Sequence, residues 1–280
     1  MKCTDKIISL REQVNHWKSQ GDPVILVPTM GNLHSGHLSL VEYAGARKGK
    51  VIVSIFVNPI QFVQGEDYEN YPRTLKSDLE LLERQEVDLV FNPAVDEIYP
   101  GGLEMQTRVT VTPLDGIFCG KFRPGHFTGV ATVVTKLFNL VQPDVAIFGE
   151  KDYQQLLVIK KLVSDLAIPV EILSVPTVRE PDGLAMSSRN HYLTPEQRKT
   201  ASLMYRQLNR VADSILDGET EFNRLQDEAT AVLENAGFRP EYFGVQDAET
   251  LGPPQEGDII VLVAAWLGQA RLIDNILIRR

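Results

Sequence analysis

Two histidines three residues apart, His34 and His37, close the run Thr29-Met-Gly-Asn-Leu-His-Ser-Gly-His37, directly after four apolar residues at 24–27. A strand that runs into a glycine-bearing turn and then a helix offers backbone N–H groups and a positive dipole end, which suits a phosphate. With both histidines in the first helical turn, they project from the same side and two imidazoles face one anion. Glycines at 31 and 36 permit a close backbone approach. Zinc is the poorer reading, because no carboxylate or cysteine stands beside the pair to complete a tetrahedral set.

Two further clusters follow the same logic. Gly149, Glu150, Lys151 and Asp152 come after the strand-like run at 144–148. There Lys151 supplies a compact positive charge for a phosphate oxygen, and Asp152 can cap a helix or accept from ribose or adenine. In the irregular stretch 176–190, Ser187 and Ser188 are hydroxyl donors and Arg189 is a planar five-donor cation. That combination can surround a triphosphate as charge moves onto the leaving group.

These clusters need a scaffold that brings strand ends together. Over the first two-thirds of the chain, β-rich runs at 24–27, 50–57, 87–91, 144–148 and 170–174 alternate with helical periodicity at 36–47, 74–85, 127–141 and 153–166. The alternation predicts an α/β, Rossmann-like parallel sheet, and the all-apolar strands match a sheet buried on both faces. Ligands bind at the carboxyl ends of such strands. After about residue 176 the pattern changes. Thr194-Pro195-Glu196 opens a long helix to about 217, a second helix spans 219–236, and three β-rich runs at 242–247, 259–267 and 270–278 follow. The expectation is two domains: 1–176, Rossmann-like, and 177–280, a smaller α+β domain of two helices and a three-stranded antiparallel sheet.

Composition narrows the classes. A net charge of −9 argues against a large nucleic-acid surface, which needs a basic face. Two cysteines, Cys3 and Cys119, make neither a disulfide framework nor a paired-cysteine metal motif, so a reduced, cytoplasmic setting is expected. Cys119, in Gly116-Ile-Phe-Cys-Gly120, reads as apolar packing. The amino terminus lacks the pattern of a secretory signal, and no apolar segment reaches the roughly 20 residues of a membrane span.

His-Ser-Gly-His resembles the His-x-Gly-His motif of the nucleotidyltransferase superfamily, and Met-Ser-Ser-Arg is similar to the Lys-Met-Ser-Lys-Ser loop of class I aminoacyl-tRNA synthetases in that superfamily. With Phe56-Val-Asn-Pro-Ile-Gln-Phe62, Tyr71-Pro-Arg-Thr74, Gly125-His-Phe-Thr-Gly-Val130 and Lys136-Leu-Phe-Asn-Leu-Val-Gln-Pro143, nearly the whole chain resembles the pantothenate synthetase (pantoate–beta-alanine ligase) family.

That resemblance implies condensation of (R)-pantoate with beta-alanine through a pantoyl adenylate, with release of AMP and pyrophosphate. It places ATP on Met30, Gly31, Asn32, Leu33, His34, Ser35, Gly36 and His37, on Gly149, Glu150, Lys151 and Asp152, and on Val178, Met186, Ser187, Ser188 and Arg189. His37 is its catalytic residue and Gln61 and Gln155 contact the substrate. Mg²⁺ rides mainly on the ATP phosphates with water, without a protein ligand; Asp78, in a helix after Tyr-Pro-Arg-Thr, reads as a solvated acid. The resemblance further implies a homodimer and a carboxyl-terminal domain that covers the active site. Thr128 departs from the charged or larger polar residue expected in Gly-His-Phe-x-Gly-Val. A nucleotidylyltransferase acting on a phosphate-bearing acceptor is the alternative, although no cluster of cations stands near 58–61 to receive such an acceptor.

Overall fold

The computed structural model describes all 280 residues, which divide into two compact units: 1–150 with 154–176, and 177–280 with 151–153. In the first unit the elements run β1 (Lys2–Thr4), α1 (Ile7–Ser19), β2 (Val24–Thr29), α2 (Ser35–Gly45), β3 (Lys50–Ile55), α3 (Leu75–Arg84), β4 (Leu89–Phe91), α4 (Val95–Ile98), α5 (Cys119–Phe122), α6 (His126–Val141), β5 (Val145–Gly149), α7 (Tyr153–Asp165) and β6 (Glu171–Val175). All six strands are parallel, in the order β1-β4-β3-β2-β5-β6. The order reverses direction at β2, so the crevice a doubly wound sheet reserves for ligands opens where β2 ends, just before His34.

The apolar strands are those of a sheet covered on both faces. Residues Val24, Ile25, Leu26 and Val27 are all at most 1% exposed. Side chains alternate along a strand, so Ile25 and Val27 join Val53, Leu40 and Val41 in one core while Val24 and Leu26 face the other way. A sixth strand and a first helix, β1 and α1, were not expected. The helix carries its own signal: Leu10, Val14 and Trp17 are spaced four and three apart and form its buried stripe.

The second unit comprises α8 (Pro195–Ala201), α9 (Leu203–Leu216), α10 (Phe222–Asn235), β7 (Arg239–Asp247), β8 (Ile259–Leu267) and β9 (Ala270–Ile278), with the strands antiparallel in that order. Thr194 caps α8 in a reciprocal box with Gln197, and Pro195 occupies the first turn. The single long helix expected from 194 to 217 breaks at Ser202, making α8 and α9 separate. Ser202 Oγ donates to the Lys199 carbonyl at 3.4 Å, a local bond that competes with the helical ladder. Inner residues of β8 pack with Met204, Leu208 and Val211 of α9 and Leu225 and Leu233 of α10. No helix is long and apolar enough to cross a membrane.

Candidate functional site

The turn after β2 is fixed by reciprocal bonds at a helix start. His34 is the N-cap of α2, and its Nδ1 accepts the Gly36 N–H at 3.1 Å. His37 Nδ1 accepts the His34 N–H at 3.4 Å, closing a capping box in which both partners are imidazoles. A ring nitrogen that accepts from a backbone N–H carries no proton, which leaves Nε2 of each ring as the nitrogen able to donate. The rings lie 4.1 Å apart between centroids, tilted by 39°. Two imidazoles thus stand together at one helix start, beside the positive end of the α2 dipole.

Asp78 corrects the reading of it as a solvated acid. It is 2% exposed. Its carboxylate accepts from the N–H groups of Asn32 and Leu33, both at 2.9 Å, and from the Thr74 hydroxyl at 3.1 Å. Gly31 and Asn32 both take positive φ, 79° and 50°. A Cβ on Gly31 would lie 3.1 Å from Asp78 Oδ2 and 3.0 Å from Ile55 Cγ2, so the turn passes over Asp78 with no room to spare. Asp78 holds the backbone that delivers His34. The missed signal was its place in the first turn of α3, where a carboxylate also meets the positive dipole end.

Gln61 is 9% exposed in a short helical turn, Pro59–Gln61, and its amide belongs to a buried chain of polar groups. The Tyr99 hydroxyl donates to Asn58 Oδ1 at 2.8 Å, and Asn58 Nδ2 donates to Gln61 Oε1 at 2.9 Å. The Gln61 amide nitrogen then points to Met30 Sδ at 3.0 Å, a weak acceptor. Behind it, His126 Nδ1 donates to the Gln61 carbonyl at 2.7 Å, Arg123 reaches His126 Nε2 at 2.8 Å, and Glu66 receives Arg123 Nε and Nη2 at 2.5 and 2.8 Å. Gly129 is required: a Cβ there would lie 2.4 Å from the Ile60 carbonyl oxygen. Burial pushes the Tyr99 phenol far up, which keeps it a donor. Lys136, 4.8 Å over the Tyr99 ring, is lowered by its own burial. Thr128, the departure in this region, bonds the Asp115 carboxylate through its N–H and its hydroxyl.

At the end of β5 the Glu150 carboxylate accepts from the Ser174 hydroxyl at 2.8 Å, so its side chain serves the sheet edge. Gln154 and Gln155 divide their roles. Gln154 is buried, accepting from the Cys119 N–H and donating to the carbonyls of Leu114 and Ile117. Gln155 is half-buried and makes no side-chain bond within the protein. In the second unit, Val178 and Met186 are paired across a small hairpin by the Met186 N–H and Val178 carbonyl at 3.0 Å. Ser187 caps the helical turn Ser188–Tyr192 through the Arg189 N–H at 3.2 Å. Lys151 and Asp152 group with this unit.

A sequence model of the Pantoate-beta-alanine ligase family matches residues 2–277. The chain belongs to the pantoate-beta-alanine ligase family. The pantothenate synthetase of Alkalilimnicola ehrlichii is 55% identical over 278 residues, covering 99% of this chain and 97% of that one. Among solved structures, the pantothenate synthetase of Thermus thermophilus superposes with a TM-score of 0.92 at 46% identity, covering 99% of both chains. The pantoate-beta-alanine ligase of Francisella tularensis, solved with beta-gamma ATP and beta-alanine, gives a TM-score of 0.84 at 37% identity and covers 99% of this chain and 97% of that one. Membership in the pantoate-beta-alanine ligase family makes the chain a carbon–nitrogen ligase and removes the reading as a nucleotidylyltransferase for phosphate-bearing acceptors.

Proposed function

We propose that the chain activates the carboxylate of pantoate with MgATP and transfers the pantoyl group to beta-alanine. The pantoate carboxylate oxygen attacks the α-phosphorus, the bond to the β-phosphate oxygen breaks, and pyrophosphate leaves. The beta-alanine amine then attacks the acyl carbon of the pantoyl adenylate, loses a proton and expels AMP. The observation that carries this reading is the imidazole capping box, which sets two imidazole donors at one helix start. Such donors stabilise charge as it moves onto phosphate oxygens. His37 is the catalytic residue, acting by electrostatic stabilisation, and His34 is a nucleotide contact.

Met30, Gly31, Asn32, Leu33, Ser35 and Gly36 line the phosphate side, together with Gly149 and Glu150. Lys151 meets phosphate oxygens, Asp152 accepts from the nucleoside, Val178 and Met186 contact the nucleotide, and Ser187, Ser188 and Arg189 serve the leaving pyrophosphate. Gln61 and Gln155 bind pantoate, since amides donate to a carboxylate and accept from hydroxyls without adding charge. Gln61 also serves the beta-alanine position.

Mg²⁺ enters with ATP as part of the substrate. Both Asp78 oxygens are engaged by backbone N–H groups. A homodimer is part of the same reading, supported by resemblance to the family, and light scattering in solution tests it. A reduced cytoplasmic setting belongs to the same reading, since the chain has only two cysteines, Cys3 and Cys119. The decisive assay incubates the protein with α-labelled ATP, Mg²⁺ and pantoate, then adds beta-alanine and follows AMP and pantothenate. Absence of AMP with both substrates present overturns the reading.

A further inference from the structure

Lys151 stands in a segment of three residues, 151–153, that packs with the second unit although the strand before it and the helix after it belong to the first. Two bonds within that unit hold the segment. Asn275 Nδ2 donates to the Lys151 carbonyl at 2.9 Å, and the Tyr153 hydroxyl donates to the Ala248 carbonyl at 2.9 Å. An amide donor on the carbonyl of Lys151 ties the Lys151–Asp152 peptide to β9, at the residue whose side chain carries the ammonium.

Asn275 is itself held rigidly. It is 7% exposed on β9, next to Asp274, which is 4% exposed and shares the core face with Leu272 and Ile278. Asp274 accepts the Asn275 N–H at 2.8 Å. Arg179 grips Asp274 with both ends of its fork, at 2.6 and 3.0 Å, and donates to the Asn275 carbonyl at 3.2 Å. The guanidinium carbon lies 3.8 Å above the Tyr205 ring. Burial pushes the Asp274 carboxyl up, and the Arg179 guanidinium opposes it. A buried fork of this kind stabilises little by itself, but it fixes geometry. Its consequence here is that the N–H and the carbonyl of Asn275 are both held, which steadies the strand position from which its amide reaches Lys151.

We propose that Asn275 is a positioning residue for adenylation: through the Lys151 carbonyl it aims the Lys151 ammonium at the phosphates of ATP, with Arg179 and Asp274 holding Asn275 in turn. This rests on the reading that Lys151 contacts ATP. Arg179 adjoins Val178, so the same fork steadies a second nucleotide contact, and β9 supports the nucleotide site from a strand that carries none of its ligands.

The test uses the full chain with Asn275→Asp, whose carboxylate cannot donate to a carbonyl, and Asn275→Ala, which removes the donor without adding a buried charge. Two half-reactions are read: pantoate-dependent exchange of labelled pyrophosphate into ATP, and aminolysis of preformed pantoyl adenylate by beta-alanine. Both variants are expected to slow exchange or raise its KM for ATP about ten- to a hundredfold, the scale of a misplaced reacting group, while aminolysis changes less than about twofold. Lys151→Ala is expected to slow exchange as well, and adding Asn275→Ala to it to cost nothing more. Exchange at the parent rate in both Asn275 variants, or a parallel fall in both half-reactions, overturns the positioning role. Normal exchange in Lys151→Ala would instead overturn the assignment of Lys151 to ATP, a distinguishable result.

Discussion

The two segments that follow β2 and β5 do the same architectural job by different means. Each leaves the carboxyl end of a parallel strand and starts a helix. The first combines a local device with a distant one: His34 and His37 cap each other across three residues, and one carboxylate, Asp78, from 45 and 46 residues further on, anchors the preceding turn. The second is organised from far away in sequence, with Lys151 held by Asn275, 124 residues on, and Tyr153 by Ala248, 95 residues on. Each of the two proposed phosphate contacts thus has its own wall, the first held partly by its nearest neighbours in sequence and the second by a distant strand.

His37→Ala strikes the local wall directly. It removes one donor and the acceptor for the His34 N–H, and pyrophosphate exchange should fall about 10²- to 10³-fold with the thermal midpoint little changed. Near-parent exchange would remove His37 from its role and leave the contrast between the two segments without a catalytic meaning.

Asp78→Ala attacks the same wall from below. It strips the acceptor from two backbone N–H groups, and urea denaturation should show a loss of about 1–3 kcal/mol, with a raised KM for ATP. Asp78→Asn, which keeps one acceptor oxygen, should fall between the two. If both variants bind ATP normally, the turn holds its shape without Asp78 and is more self-sufficient than drawn here.

On the distant wall, Tyr153→Phe removes one of two anchors and leaves the aromatic body in place. Its expected effect is smaller, a severalfold rise in KM for ATP at unchanged kcat in initial-rate assays, because Asn275 still holds Lys151. An effect as large as that of His37→Ala would show that the hydroxyl carries the segment alone.

The smallest effect concerns the turn that presents the Ala248 carbonyl. Asp247 is held below the usual carboxylate value of 3.8 first by the Thr250 hydroxyl, then by the N–H groups of Thr250 and Glu249. With its pKa lower in the folded than in the unfolded state, its stabilisation is complete above the unfolded value and disappears as pH falls through the folded one. The stability difference between the parent and Asp247→Ala, measured by urea midpoints, should therefore be small at pH 7 and vanish at low pH. A difference that grows on acidification would contradict the assigned bonds.

Much of the fold could be read from residue order because the forces responsible are short in sequence. Runs such as Val24–Leu26 and Ile259–Leu267 are apolar at every position since both their faces are covered, and Thr194-Pro195 starts a helix through bonds to the next three residues. The helix at Ile7–Ser19 was equally open to reading, by the spacing of Leu10, Val14 and Trp17, but charged neighbours disguised it. The break at Ser202 was less open, since a serine hydroxyl bonds the backbone in some helices and faces water in others.

For the proposed site, sequence alone placed the histidine pair and Lys151 just after strands, and the Ser187–Ser188–Arg189 run and the glutamines in the segments between or beyond strands. It also determined the capping box, whose partners lie three residues apart and need only a helix start to meet. The tertiary structure decided that Asp78 is buried support for the histidine turn, that Gln154 is consumed by the carbonyls of Leu114 and Ile117 while Gln155 is not, and that Lys151 is held from β9. The physical reason is common to all three. A carboxylate or amide is read as solvated until the groups that desolvate and bond it are known, and those groups come from elements that only folding brings within hydrogen-bond reach.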